Sequence, residues 1–199
     1  SRRQRQMCIR DRDIFQEMQA QGYRVARSWE KAGALPSGKT LVVAAPGNLP
    51  PPSKRGDVFR QAAVKALDTL SRNPNGFFLM IEGSNIDKAA HSNNLEEMME
   101  ELLDFDRTAG AVLDWASKHP GTLVVITADH NTGAFALTGG SREQGEITGR
   151  FGSGSHDGVA VPVYAFGAGS GDFTGIYENT DIFNKIMNAF KKGADKPVR

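Results

Sequence analysis

The chain has 199 residues, 39% of them hydrophobic and 24% charged, with a formal net charge of +1. That is the composition of an ordinary globular domain, long enough to bury a core, rather than of a disordered or membrane one. No apolar run approaches the roughly 20 residues of a membrane span, and a near-neutral charge gives no electrostatic footprint for nucleic acid.

Residues 1–12 (Ser-Arg-Arg-Gln-Arg-Gln-Met-Cys-Ile-Arg-Asp-Arg) show no helical or strand period. They lack the apolar core of a signal peptide. The string resembles translated sequencing adapter, so it is read as non-native, with the true chain entered near Asp13. Its five Arg and one Asp shift the balance, and residues 13–199 alone carry a net charge of −3. The single cysteine, Cys8, also falls in this stretch. The remainder has no thiol, so any metal must be held by His, Asp and Glu.

From Asp13 the pattern predicts a short helix to Gly22, a strand over Tyr23–Ala26, a helix Trp29–Ala34 capped by Ser28, and a strand over Thr40–Ala45. The proline-rich stretch Asn48–Asp57 reads as a loop. Apolar spacing predicts a helix over Val58–Ser71, then a turn at Asn73–Gly76. Phe77–Ile81 is a continuous apolar run of strand length, suited to a strand buried on both faces. A long helix over Leu95–His119 follows, with a stripe of Leu95, Met98, Met99, Leu102, Phe105, Ala109, Val112, Leu113 and Ala116, and with Asn93 and Glu96 as its capping pair. Leu123–Thr127 is the next buried strand, Thr138–Ser155 a surface excursion, and Val159–Phe166 a strand. Thr180–Lys192 closes as a helix whose inner face is Ile182, Phe183, Ile186, Met187 and Phe190. Strands alternating with helices imply an α/β fold, a three-layer α/β/α sandwich around a mostly parallel sheet. Residues 13–193 read as one domain and 194–199 as a tail.

Three clusters hold three of the four histidines: Glu82-Gly-Ser-Asn-Ile-Asp87-Lys-Ala-Ala-His91, Thr127-Ala-Asp129-His130, and Ser155-His156-Asp157. Each sets imidazole beside carboxylate, a donor mix that suits zinc. Two of them follow strands directly, at the edge where open α/β sheets gather functional groups. Asp87 and His91 are four apart, so a helical turn puts them on one face. Each cluster alone reads as solvated loop or cap. Their repetition at strand ends is what favours a metal centre. His119 sits at a helix end beside Pro120 and reads as structural.

The three clusters, in this order, resemble the C-terminal half of alkaline phosphatases. The flanking text agrees: Phe77-Phe-Leu-Met-Ile81, Leu103-Asp104-Phe105-Asp106, Gly175-Ile-Tyr-Glu-Asn-Thr-Asp181, Gln21-Gly-Tyr23 and Ala45-Pro-Gly-Asn48. The resemblance implies two Zn²⁺ and one Mg²⁺. Asp87, His91 and His156 are then ligands of one zinc, Asp129 and His130 of the second, and Glu82 of magnesium. It implies phosphomonoester hydrolysis in which a serine becomes phosphoserine and a zinc-bound hydroxide then cleaves it. The nucleophilic serine, an aspartate bridging two metals and a phosphate-clamping arginine have no counterpart here. Ser84 and Ser155 stand at other positions, so the chain reads as a C-terminal portion, inactive and poorly soluble alone. The resemblance further implies a periplasmic or secreted location and a homodimer. The alternatives are a sister hydrolase of the superfamily (a sulfatase, a phosphodiesterase or a cofactor-independent phosphoglycerate mutase) and a stand-alone, non-catalytic zinc-binding domain.

Overall fold

The computed structural model describes residues 13–32 and 38–194. The expectations for residues 1–12, for the end of the helix at Ala34 and for the tail past 194 lie outside the described residues. In chain order the elements are α1 (Ile14–Ala20), β1 (Arg24–Ala26), α2 (Trp29–Ala32), β2 (Thr40–Val42), α3 (Pro52–Arg55), α4 (Val58–Leu70), α5 (Ser84–His91), α6 (Leu95–Ser117), β3 (Leu123–Thr127), β4 (Asn131–Thr132), β5 (Ala136–Ser141), β6 (Glu146–Arg150), β7 (His156–Asp157), β8 (Val163–Gly167) and α7 (Asp181–Ala194). The fold is α/β, as the alternation of elements predicts. Four two-stranded ladders are formed: β1–β2 is parallel, while β3–β8, β4–β7 and β5–β6 are antiparallel. The described residues divide into two compact units, one within 13–58 together with 68–77, the other of 59–67 with 78–194.

In the first unit, the Asp13 carboxylate accepts from the N–H groups of Phe15 (3.0 Å) and Gln16 (3.3 Å), which starts α1 where the sequence places it. Among its described residues Ala26, Ala32 and Pro52 are buried. The expected loop at Asn48–Asp57 contains α3 instead. Pro52 opens that turn, and a proline is tolerated there because the first N–H groups of a helix have no partner within it. Gly56 ends it at φ +60°.

The second unit carries the clusters. Ala89, Ala90 and Met98 form a buried cluster in it, with Ile86, Leu95, Phe135 and Phe151 packed against them. One face of α5 is thus fixed on α6 and on the Phe135–Phe151 pair, whose rings are 4.9 Å apart. Gly83 permits this close entry, since a Cβ there would stand 2.7 Å from the Phe105 ring. The cap of α6 is Asn94, one residue after the expected Asn93. Its side chain accepts from Glu97 N at 3.1 Å, while Asn93 takes the left-handed turn (φ +52°) out of α5. The buried stripe of α6 is Met98, Glu101, Asp104, Thr108 and Ala116, so the expected Leu102 faces outward. The buried polar groups are bonded: the Asn85 amide donates to Glu101 (3.2 Å) and the Arg107 guanidinium to Asp104 (3.4 Å). Satisfied in this way, they tolerate burial that an apolar count alone does not anticipate.

Phe77–Ile81, expected as a strand, alternates half-buried and exposed residues but belongs to none of the four ladders among the described residues. The pleat is there; a ladder also needs a neighbour presenting N–H and C=O groups about 4.8 Å away. Phe78 and Met80 stay 61% and 75% exposed. The last strand begins later than expected, at Val163, paired with Thr127. Pro162 has no N–H to donate, so the ladder stops there. The surface excursion is the hairpin β5–β6. On α7, Ile182 and Ile186 are half-buried, but Phe183, Met187 and Phe190 of the expected inner face are exposed.

Candidate metal centre

Helix α5 buries Ala89 and Ala90 on one face, which leaves Asp87 and His91, one turn apart, on another. Past the end of β3 the chain runs through Asp129 and His130 into β4. The β4–β7 ladder pairs Asn131 with Asp157 and Thr132 with His156, carrying His156 back across the excursion. The His130 and His156 rings stack with centroids 3.5 Å apart, and His91 and His156 lie 4.8 Å apart.

Three segments therefore meet. His91 Nε2 is 3.0 Å from His156 Nε2. Asp87 Oδ1 is 3.5 Å from the first nitrogen and 3.6 Å from the second. Asp87, His130 and His156 each place one ligand atom within 4.8 Å of the others. Asp129 Oδ2 is 3.1 Å from His130 Nε2, on a largely exposed side chain. Glu82 ends the extended segment, exposed, outside that Asp87–His130–His156 group.

The hydrogen bonds orient the rings. His91 Nδ1 lies 2.7 Å from the carbonyl of Gly154, which can only accept, so Nδ1 carries the hydrogen and Nε2 of the neutral ring is bare. Thr132 Oγ1 donates to Asp87 Oδ1 at 2.6 Å and stands 3.2 Å from His130 Nδ1. Zinc bonds of 2.0–2.2 Å at a tetrahedral angle separate donor atoms by about 3.3–3.6 Å. The Asp87–His91–His156 triangle matches this within a few tenths of an ångström. The donor set, imidazole nitrogen and carboxylate oxygen with no thiolate, is also one zinc accepts.

Several contributors escaped the sequence reading. Thr132 lies two residues past His130, on the buried side of a two-residue strand. Asp157 sits beside His156, yet its role shows only in the fold. Its carboxylate accepts from Asn131 Nδ2 (2.9 and 3.2 Å), Ala134 N (3.0 Å) and Val159 N (3.1 Å), tying β7 to β4. The Val159 N–H most of all, then Asn131, Ala134 and the His130 charge, hold this carboxyl below the usual range, against an opposing desolvation. His119 takes no part in the cluster. Its Nδ1 bonds the Trp115 carbonyl at 2.7 Å and its ring stacks on Trp115 at 3.7 Å, an arrangement that finishes α6.

Residues 9–150 match the family model for alkaline phosphatase. Among curated proteins, the chain is 27% identical to alkaline phosphatase 4 of Bacillus subtilis, over 92% of this chain and 55% of that protein. It is 30% identical to streptomycin-6-phosphate phosphatase of Streptomyces griseus, over 91% of this chain and 51% of that protein. The chain thus spans about half the length of the curated relatives it matches. Among solved structures, the alkaline phosphatase from the Antarctic bacterium TAB5 superposes with a TM-score of 0.77 at 32% identity, over 90% of this chain and 55% of that one. A cold-active alkaline phosphatase from Shewanella sp. gives 0.82 at 24% identity over 89% and 62%, a likeness of fold alone. Among the described residues no helix is long and apolar enough to cross a membrane.

Proposed function

This chain belongs to the alkaline phosphatase family, and on that premise we propose that it carries the metal-binding portion of a metal-dependent phosphomonoesterase. One zinc would be held by Asp87, His91 and His156, a second by Asp129 and His130, and magnesium by Glu82. The observation that carries this reading is the triangle of Asp87 Oδ1, His91 Nε2 and His156 Nε2, with sides of 3.0–3.6 Å and the His130 ring stacked against it. Bound there, paired cations neutralise charge on a phosphate ester and lower the pKa of an attacking oxygen. The chain's own residues do the positioning. Asp87 and His91 ride a helix whose other face is locked in the core. His156 is held in register by the Asp157 carboxylate. The Gly154 carbonyl turns the His91 lone pair toward its partners.

No serine of this chain is assigned as nucleophile, so the phosphoserine route requires a serine from outside these residues. A periplasmic or secreted location and a homodimer belong to the same proposal and rest on the family alone. The test is hydrolysis of p-nitrophenyl phosphate by this chain and by a chimera that adds the remaining part of the TAB5 enzyme. The chain alone should be inert and the zinc-loaded chimera active, with activity lost in His156→Ala. A chimera that binds zinc yet never turns over would favour a non-catalytic zinc-binding domain. Turnover unchanged by His156→Ala would remove the ligand assignment.

A further inference from the structure

We propose that the segment 78–81 is an open strand edge, and that a strand from the remaining part of an alkaline phosphatase domain, outside this chain, pairs with it. The inference rests on membership of that family and on no metal assignment. Among the described residues, the backbone of 78–81 makes no hydrogen bond and joins no ladder. The turns on either side are bonded: Gly76 N donates to the Asn73 carbonyl (3.0 Å) and Ile86 N to the Gly83 carbonyl (3.1 Å). Between them the side chains alternate as on a pleated strand. Leu79 and Ile81 are half-buried, while Phe78 and Met80 are exposed. Backbone N–H and C=O groups that enter a protein interior are paired in nearly all native structures. A row of such groups at strand spacing is complemented by another strand.

The segment itself says what kind of partner fits. Strand edges that face solvent in native proteins are blunted by lysine, proline or a bulge. Phe-Phe-Leu-Met-Ile, residues 77–81, carries neither charge nor proline. That composition suits a strand covered on both faces. The outward pair Phe78 and Met80 therefore needs a covering layer as well as a neighbour, more than a lone short peptide brings. Strand β3 is in a similar position, with β8 as its single neighbour among the described residues. A further portion of the same folded domain supplies both neighbour and layer. The chain matches 55% of the TAB5 enzyme and 55% of alkaline phosphatase 4 of Bacillus subtilis, so these relatives hold additional chain of the size required. Glu82 follows Ile81 directly, so the same pairing fixes the segment that carries the proposed magnesium ligand.

The test is residue-resolved amide hydrogen exchange in this chain alone and in the chimera that adds the remaining part of the TAB5 enzyme. In the dilute chain, the amides of 79–81 should exchange near the rate of an unstructured peptide while β3, paired with β8, is protected, a readout that needs no chimera. In the chimera the same amides should slow by about a hundredfold or more, as in a paired core strand. Met80→Lys puts a charge on the outward row. It should leave the melting of the chain alone unchanged, yet lower the melting temperature of the chimera and remove the protection, with Met80→Leu behaving as wild type. Protection already present in the dilute, monomeric chain overturns the inference, and so does its absence from the chimera. Protection of the chain alone that grows with its concentration and is lost in Met80→Lys gives the edge to a second copy and overturns the chosen partner. Zinc binding separates this inference from the metal reading. A chimera protected at 79–81 without binding zinc keeps the first and removes the second; zinc bound with 79–81 unprotected does the reverse.

Discussion

Gly133→Ala should damage the centre without touching a ligand. Gly133 sits at φ +81° in the turn between β4 and β5. A Cβ added there would lie 2.8 Å from the Phe151 ring and 3.1 Å from the Ala90 carbonyl oxygen. The left-handed backbone costs an L-residue about 1–2 kcal/mol, and forcing a methyl against a packed ring and a helix carbonyl adds about 1–3 kcal/mol. The expected loss is therefore about 2–5 kcal/mol. It also propagates, because Gly133 N donates to the Ser155 carbonyl (2.9 Å) and its own carbonyl accepts from Gly152 and Ser153. Shifting Gly133 shifts the strand that carries His156. The matched control is Gly110→Ala, inside α6, where an added Cβ meets nothing within 4 Å. There the lower helix propensity of glycine makes alanine stabilising by about 0.5–1 kcal/mol. The assay is urea unfolding of both variants followed by zinc titration. Opposite signs are expected, with zinc binding weakened only in Gly133→Ala. If both variants unfold like wild type, the strain argument is refuted.

His119→Ala should leave zinc affinity within twofold of wild type while lowering stability by about 0.5–1.5 kcal/mol, the scale of one aromatic stack; a large loss of zinc would place His119 in the centre after all. Asn94→Ala should cost about 1 kcal/mol and fray the first turn of α6, readable as faster amide exchange there; equal exchange would return the cap to Asn93. Asp172 accepts from Lys192 at 2.6 Å, and that bond and charge hold its carboxyl below the usual range. The folded state therefore favours the ionised form. This contribution is complete above the ordinary carboxylate range, about pH 4, and is lost as pH falls through the lower folded value. Protection of α7 amides should fall on acidification in wild type and become flatter in Asp172→Asn; identical pH dependence would show that the pair does not hold α7.

The ordering of helices and strands was legible because periodicity survives in the fold: α4, α6 and β3 lie within two residues of where their apolar spacing puts them. What was not legible depends on partners. Phe77–Ile81 has the composition of a strand, but a ladder requires a neighbour, and composition is silent on whether one is beside it. The stripe of α6 was misjudged at Leu102 because Glu101 and Asp104 are buried by bonding to Asn85 and Arg107, pairs that sequence distance hides. The site shows the same division. Asp87, His91, His130 and His156 stood out as residue types in repeated clusters. Thr132 bonds Asp87 on α5, and Asp157 accepts from Asn131 across a two-residue ladder too short to announce itself. Glu82 and Asp129 stood in the same clusters, yet both side chains are exposed and lie outside the Asp87–His130–His156 group.

Asp87, His91 and His156 are proposed to share one metal ion. Zinc K-edge absorption of the chain loaded with one equivalent of zinc tests it most directly. The expected shell is two imidazole nitrogens and a carboxylate oxygen at about 2.0–2.2 Å, with one imidazole lost in His156→Ala. A shell of oxygen alone, or one unchanged in that variant, would contradict it.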